Sequence, residues 1–309
     1  MKGITASAPG KVILFGEHAV VYGRPALAAP VFSVQATAYV EEALPNSGLL
    51  IHAADLDLNL SLADAVTHGP ALAAQLALEH LGTPEPDVQI TIRSTIPIAG
   101  GMGSGAAVSA ALIRALCTYL GHSIGDEALS ALVYEVEKFY HGMPSGIDNT
   151  VICYGRPVYY IKGREPQFLL VKHPFDLLIG DTGVATPTRI TVGAVREAWQ
   201  RAPQTYEALF DAIGAVVEKA QAAIERGEVA LLGPLMNENH ALLRELGVSS
   251  PELEQLVKVA RTAGAAGAKL SGGGGGGNMI ALVDPANVER VGHALRKAGA
   301  VRVLHTLIR

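Results

Sequence analysis

The chain has 309 residues, 49% of them hydrophobic but only 5% aromatic, and a formal net charge of −5. That length and apolar content support two domains of ordinary size with sizeable cores. The acidic balance, with no run of Lys and Arg, argues against nucleic acid or an anionic membrane surface as partner.

No apolar run reaches the length of a membrane span. Cys117 and Cys153 sit in apolar company without C-x-x-C spacing, so they read as free thiols of a reducing compartment. The N-terminal stretch MKGITASAPGK has no signal-type apolar core, and a soluble, cytoplasmic protein is expected.

In chain order, a short strand is expected over Ile4 to Ala8, ahead of Pro9-Gly10-Lys11. The apolar run Val12 to Phe15 breaks at Gly16, and Glu17-His18 are then inserted between apolar stretches. Two readings stand: a hairpin turn over 16–23 with its polar residues in water, or a cleft lined by Lys11, Glu17 and His18. Apolar and polar residues alternate from Phe32 to Val40, which marks a half-buried strand. A helix is expected over 70–81, and Val88, Ile90 and Ile92 repeat at period two in the next strand.

That strand feeds the stretch IPIAGGMGSGAAVSAALIRALCTYL, Ile96 to Leu120, with glycine at 100, 101, 103 and 105. Successive glycines let backbone N–H groups approach a ligand and permit positive φ. The following helix offers unpaired N–H groups and a partial positive charge at the same point, which suits a phosphate. Taken alone, the stretch reads equally as a packing-driven strand-to-helix turn.

Asp126 can cap a helix whose Leu129, Leu132, Val133, Val136 and Tyr140 recur at helical spacing, with Glu137 at the flank of the stripe. The helix ends at His141-Gly142, residues 143–149 are turn-rich, and an extended region is expected over 151–161. The domain boundary is placed near residue 165, giving domains 1–165 and 166–309. The second half opens with a strand over 175–180 and continues with helices over 191–201, 205–226, 229–246 and 251–263. Ser250 caps the last of these, with Pro251 at its first position. Ala268 to Leu270 then enters six consecutive glycines, Gly272 to Gly277. A strand over 279–283, a helix over 285–298 and a closing strand over 301–307 complete an α+β pattern.

No stretch satisfies G-x-x-x-x-G-K-[ST], and the Rossmann pattern fails at the first cluster, where Ala106 follows Gly101 and Gly103. Protein-kinase H-R-D and D-F-G signatures are absent. Three ordered stretches remain: PGKVILFGEHAVVYG, PIAGGMGSGAAVSAAL and KLSGGGGGG. Together they resemble the three motifs of the GHMP kinases, a family of galacto-, homoserine, mevalonate and phosphomevalonate kinases. Within it, GEHAVVYG, HGMPSGIDN, DTGVATPTR and MNENHALL resemble the mevalonate kinase branch.

The resemblance implies a two-domain GHMP-kinase-like fold with the active site in the inter-domain cleft, and transfer of the ATP γ-phosphate to the primary hydroxyl of mevalonate. It also suggests a homodimer. Pro97, Ile98, Ala99, Gly100, Gly101, Met102, Gly103, Ser104, Gly105, Ala106 and Ala107 would wrap the phosphates, and the late glycine run would close over them. Phosphoryl transfer needs charge placement above all. By the family match, Asp148 takes or polarises the hydroxyl proton, with Lys11 beside it pulling on the substrate oxygen. Glu137 would hold Mg²⁺, a hard cation that shares carboxylate and phosphate oxygens. Against these stand plainer readings: a turn cap for Asp148, a surface charge for Lys11 and a solvated helix flank for Glu137.

The middle motif departs from the family in one place. Members often carry G-x-G-S-S-A-A, whose second serine helps hold Mg²⁺, and here Gly105 stands at that position. Ser104 is the alternative metal ligand. Glu17 and His18 are the expected contacts to the hydroxy acid, with His18 as the group for its carboxylate and Thr182 and Thr186 as weaker candidates. Arg189 reads equally as a surface residue. Phosphomevalonate kinase is the nearest rival, but the acceptor-side motifs hold no surplus of Lys or Arg for a second phosphate. A non-catalytic nucleotide sensor is the rival of another class, opposed by the joint presence of Lys11, Glu137 and Asp148.

Overall fold

Of the 309 residues, the computed structural model describes 3–97, 100–141 and 144–309, without the side chains of Tyr140 and His141. The chain passes between two compact units more than once. The first holds the described residues of Met1–Gly10, Val34–Pro97 and Gly103–Gly155; the second holds those of Lys11–Ser33, Ile98–Met102 and Arg156–Arg309. A single cut near residue 165 does not reproduce this division. The last divide falls after Gly155, and two earlier excursions belong with the C-terminal half.

Strands β1 (Ile4–Phe15) and β2 (Ala26–Glu42) pair with each other, and each runs through both units. β1 continues through Pro9-Gly10, where a break was expected. Among the described residues β2 is its one partner strand, and an edge position tolerates a proline that cannot donate to a ladder.

In the first unit, β3 (Leu49–Ala53), β4 (Leu58–Ser61), α1 (Gly69–Leu81) and β5 (Val88–Ser94) come next. β5 is antiparallel to β2 and parallel to β3, giving the order β4-β3-β5-β2. The parallel pair needs a crossover, and α1 lies within it. The hairpin of β3 and β4 was not foreseen.

Three helices follow: α2 (Ser104–Tyr119), α3 (Asp126–His141) and α4 (Ile147–Tyr154). They pack on one another, α2 and α3 also against α1. Ala71, Ala74, Ala77, Ala107, Ala110 and Ala111 are buried in these helices and let their axes come close. Helix α4 occupies part of the region expected to be extended. Gly146, with φ 92°, makes the left-handed entry, and the Thr150 hydroxyl donates to the Gly146 carbonyl at 2.7 Å. The Asn149 amide donates to Ser130 Oγ of α3 at 2.9 Å. These contacts override the strand preference of Val151 and Ile152.

In the second unit, β6 (Val158–Tyr160) pairs with β2 and with β7 (Gln167–Phe168). Then come β8 (Phe175–Asp181), α5 (Thr188–Arg201), α6 (Pro203–Arg226), α7 (Val229–Glu245) and α8 (Pro251–Thr262). As expected, Ser250 caps α8, accepting from Leu253 N–H. β9 (Gly267–Ser271), β10 (Asn278–Val283), α9 (Val288–Lys297) and β11 (Arg302–Ile308) finish the chain. Four strands form an antiparallel sheet in the order β11-β8-β10-β9. Leu178, Leu270, Met279 and Ala281 of that sheet are buried in one core with Phe210, Leu253, Leu256 and Leu295 of the helices. No helix of the described residues is long and apolar enough to cross a membrane.

Candidate active site

The middle glycine motif ends at a bare helix N-terminus. Gly103 is the N-cap of α2, with φ 72°, and supplies no side-chain cap. The first turn carries no acidic residue, so its N–H groups face outward with the helix dipole uncompensated. Gly101 also has positive φ, at 69°. A Cβ there would meet no atom within 4 Å, so its backbone borders open space. Gly105 is exposed and Ser104 half-buried, while Pro97, Gly100, Met102, Ala106 and Ala107 are buried. Ile98 and Ala99 lie outside the described residues.

The six-glycine run approaches this motif within the second unit. A Cβ at Gly272 would lie 4.0 Å from the Gly101 carbonyl oxygen, and one at Gly277 would lie 3.9 Å from that of Gly100. The Asn278 side-chain amide donates to the Gly100 carbonyl. Other tethers hold the run in shape: Gly275 N–H donates to Val248 O at 2.8 Å and Gly277 N–H to Val184 O at 2.8 Å. Thr182 Oγ1 donates to Gly277 O at 2.9 Å, and Thr186 Oγ1 to Gly275 O at 2.8 Å. The Thr186 hydroxyl proton, expected on substrate, is thus committed to the glycine run. Arg189 is exposed.

Lys11 is buried, which removes the surface-charge reading, and its backbone N–H donates to Met102 O at 3.0 Å. The first and middle motifs are therefore joined through backbone in the same unit. Glu17 does not open onto a cleft. Its carboxylate and the ammonium of Lys269 form an ion pair with both side chains 0% exposed. Lys269 Nζ also donates to Leu270 O at 2.6 Å, and Asn239 Nδ2 donates to the other Glu17 oxygen at 3.4 Å. Burial pushes the Glu17 carboxyl up and the Lys269 ammonium down, and each partner pulls the other back. Both Glu17 oxygens thus meet protein donors, Lys269 and Asn239, beside the direct substrate contact expected of this residue.

His18 is buried, and its Nε2 lies 3.0 Å from the Gly273 carbonyl oxygen. A carbonyl only accepts, so Nε2 carries the proton. Burial pushes the imidazole down to about 4. A ring held neutral in this way meets a substrate carboxylate, the contact expected of His18, through a hydrogen bond rather than a full charge.

In the first unit, Glu137 on α3 is 4% exposed, which excludes the solvated-flank reading. Asp148 is half-buried in the first turn of α4, two residues after the Gly146 N-cap. The N-cap position itself is taken by Gly146. Ser104 begins α2 in the same helix cluster. Among the described residues no group of three or more His, Cys, Asp and Glu could hold a metal ion. Mg²⁺ keeps waters and phosphate oxygens as most of its ligands, so a single buried carboxylate such as Glu137 suits it.

Lys269, Asn239 and Asn278 were missed in the sequence. Lys269 had one legible signal, a lone cation in an otherwise apolar strand, which burial obliges to find a partner.

Residues 67–156 match the GHMP kinases N terminal domain and residues 220–301 match GHMP kinases C terminal. The chain is 37% identical to the mevalonate kinase of Pyrococcus horikoshii, over 98% of this chain and 95% of that one. It belongs to the mevalonate kinase family of the GHMP kinases. Among solved structures, the mevalonate kinase of Methanococcus jannaschii superposes with a TM-score of 0.87 at 27% identity, covering 100% of this chain and 99% of that one. The L. major mevalonate kinase, solved in complex with R-mevalonate, gives 0.84 at 30% identity, covering 99% and 95%. As a member of a kinase family, the protein uses ATP.

Proposed function

We propose that the protein transfers the γ-phosphate of ATP to the primary hydroxyl of mevalonate, forming 5-phosphomevalonate. The observation that supports this reading is the joining of the three motifs by hydrogen bonds within the second unit, at the point where the chain leads into α2. Lys11 binds Met102, Asn278 binds Gly100, and the chain then enters α2 through Gly103 with its N–H groups uncapped.

Each residue has a role that its placement supports. The N–H groups of residues 103–106 and the positive-φ glycine at 101 receive phosphate oxygens. Glu137, with Ser104 as the second candidate, would hold Mg²⁺, which when bound would supply positive charge against the triphosphate. Asp148 accepts the hydroxyl proton, and Lys11 supplies positive charge to the reacting oxygen. His18 contributes a neutral hydrogen-bonding ring on the acceptor side. Phosphomevalonate as acceptor is disfavoured, because the first and middle motifs offer no further cation for a second phosphate.

A coupled ADP-release assay with mevalonate, 5-phosphomevalonate, galactose and homoserine tests the reading. ADP is expected with mevalonate alone. ATP binding without turnover on any acceptor would instead favour a nucleotide sensor. Asp148→Asn should lower kcat by about a hundredfold or more while leaving ATP affinity nearly unchanged. Loss of both in equal measure would mark Asp148 as structural.

We extend the reading to the cytoplasm, where buried Cys117 and Cys153 persist as thiols, Cys153 pushed up to about 12 by burial. We extend it also to a homodimer, which light scattering tests.

A further inference from the structure

His18 lies at the centre of a strained turn. Ala19 N–H donates to Glu17 O at 2.7 Å, and between them His18 has φ 61° and ψ −50°. This is a three-residue γ-turn of the positive-φ kind, which is rare for any residue with a Cβ. Such strain survives only where the surroundings over-determine the backbone. Here they do so from both sides. Downstream, Ala19 is 0% exposed and Tyr22 stacks on Phe210 with ring centroids 4.1 Å apart. Upstream, Gly16 N–H donates to Asn239 Oδ1, and Glu17 is gripped by Lys269 and by the same Asn239.

We propose that Lys269 is a positioning residue for phosphoryl transfer: by clamping the Glu17 carboxylate, it holds the strained turn that aims His18 at the second glycine run. The inference rests on the kinase reading above. Lys269 lies three positions before that run and also binds Leu270 O, so one ammonium fixes both the entry to the run and the turn facing it. It is 0% exposed and bonded to Glu17 and Leu270, and it acts through Glu17 and His18. A buried pair is a stiff register device because each misplacement leaves a charge without its partner.

The decisive variant is Glu17→Gln with Lys269→Met, which removes both charges and leaves no orphaned ion. Two readouts are taken, the first independent of catalysis. In protein labelled with ¹⁵N-histidine, the His18 Nε2–H signal, identified by its loss in His18→Asn, reports the bond to Gly273. The expected result is a folded double variant that has lost the long-lived signal. Its KM for mevalonate should rise about tenfold or more, with kcat changed less than about threefold. Retention of the signal, with both constants within about twofold of wild type, overturns the proposal. Should the double variant fail to fold, Glu17→Asp keeps both charges and withdraws the carboxylate by one methylene. The same rise in KM is expected there, and its absence overturns the clamp. If wild type itself makes no ADP from mevalonate, the kinase reading has failed, while the histidine signal still decides the clamp.

Discussion

Asn278 donates its side-chain amide to the carbonyl oxygen of Gly100, tying the end of the six-glycine run to the first glycine of the middle motif. The side chain is 3% exposed, and its Oδ1 is buried with no partner among the described residues. The reversed amide would set oxygen against oxygen, so only this orientation holds the loop.

Asn278→Ala should therefore loosen the phosphate loop and raise the KM for ATP about tenfold, the worth of one buried hydrogen bond. The KM for mevalonate should change much less. Steady-state kinetics with each substrate varied in turn decides this, and an equal rise in both constants would count against a local tie.

Gly274 and Gly101 separate two reasons for glycine. Both have positive φ, 72° and 69°. A Cβ at Gly274 would lie 1.9 Å from Val248 O, whereas one at Gly101 meets nothing within 4 Å. Gly101→Ala should lose only the backbone term, about 1 kcal/mol. Gly274→Ala adds overpacking and should lose about 2–4 kcal/mol. Urea denaturation of the two variants measures the difference, and equal losses would refute the close-approach argument.

His18 makes stability depend on acid. In the unfolded chain an imidazole takes its proton near 6.5, while the buried ring does so only at about 4. Between those values the unfolded state binds more protons. The stabilisation is complete above about pH 6.5 and is lost as pH falls toward 4, by roughly 3 kcal/mol in total. His240, also pushed down to about 4 by burial, adds a loss of the same sign. His18→Asn should flatten its own share of the slope. Denaturation at pH 7, 5.5 and 4.5 gives the comparison, and identical slopes would sink the assignment.

Gly105 is exposed in the first turn of α2, at the position where the resemblance implies a metal-binding serine. Gly105→Ser should lower the Mg²⁺ concentration needed for half-maximal activity by about three- to tenfold, and helix propensity should add a few tenths of a kcal/mol of stability. An unchanged Mg²⁺ requirement would show that Glu137, Ser104, phosphate and water already complete the shell.

Much of the fold was legible because its signals are local. Period-two alternation marked part of β2 and β5, and the Ser250-Pro251 start marked α8. The segment 147–154 was misread because Val151 and Ile152 favour strand in isolation, while the Gly146 entry and the Ser130 contact belong to the folded state. Lys11 and Glu137 carried a resemblance but no visible burial. Glu17 and Lys269 stand 252 positions apart, so no window of sequence could pair them.

The amino-acid order alone determined where backbone could come close to a phosphate, since glycine spacing and the helix that follows are properties of neighbouring residues. It also determined the family, through three motifs in sequence. Only the tertiary structure decided what faces the polar groups between them: Lys269 and Asn239 against Glu17, and the Gly273 carbonyl against a buried His18. The physical reason is that the charge and availability of a buried group depend on what faces it, and its partners come from remote parts of the chain.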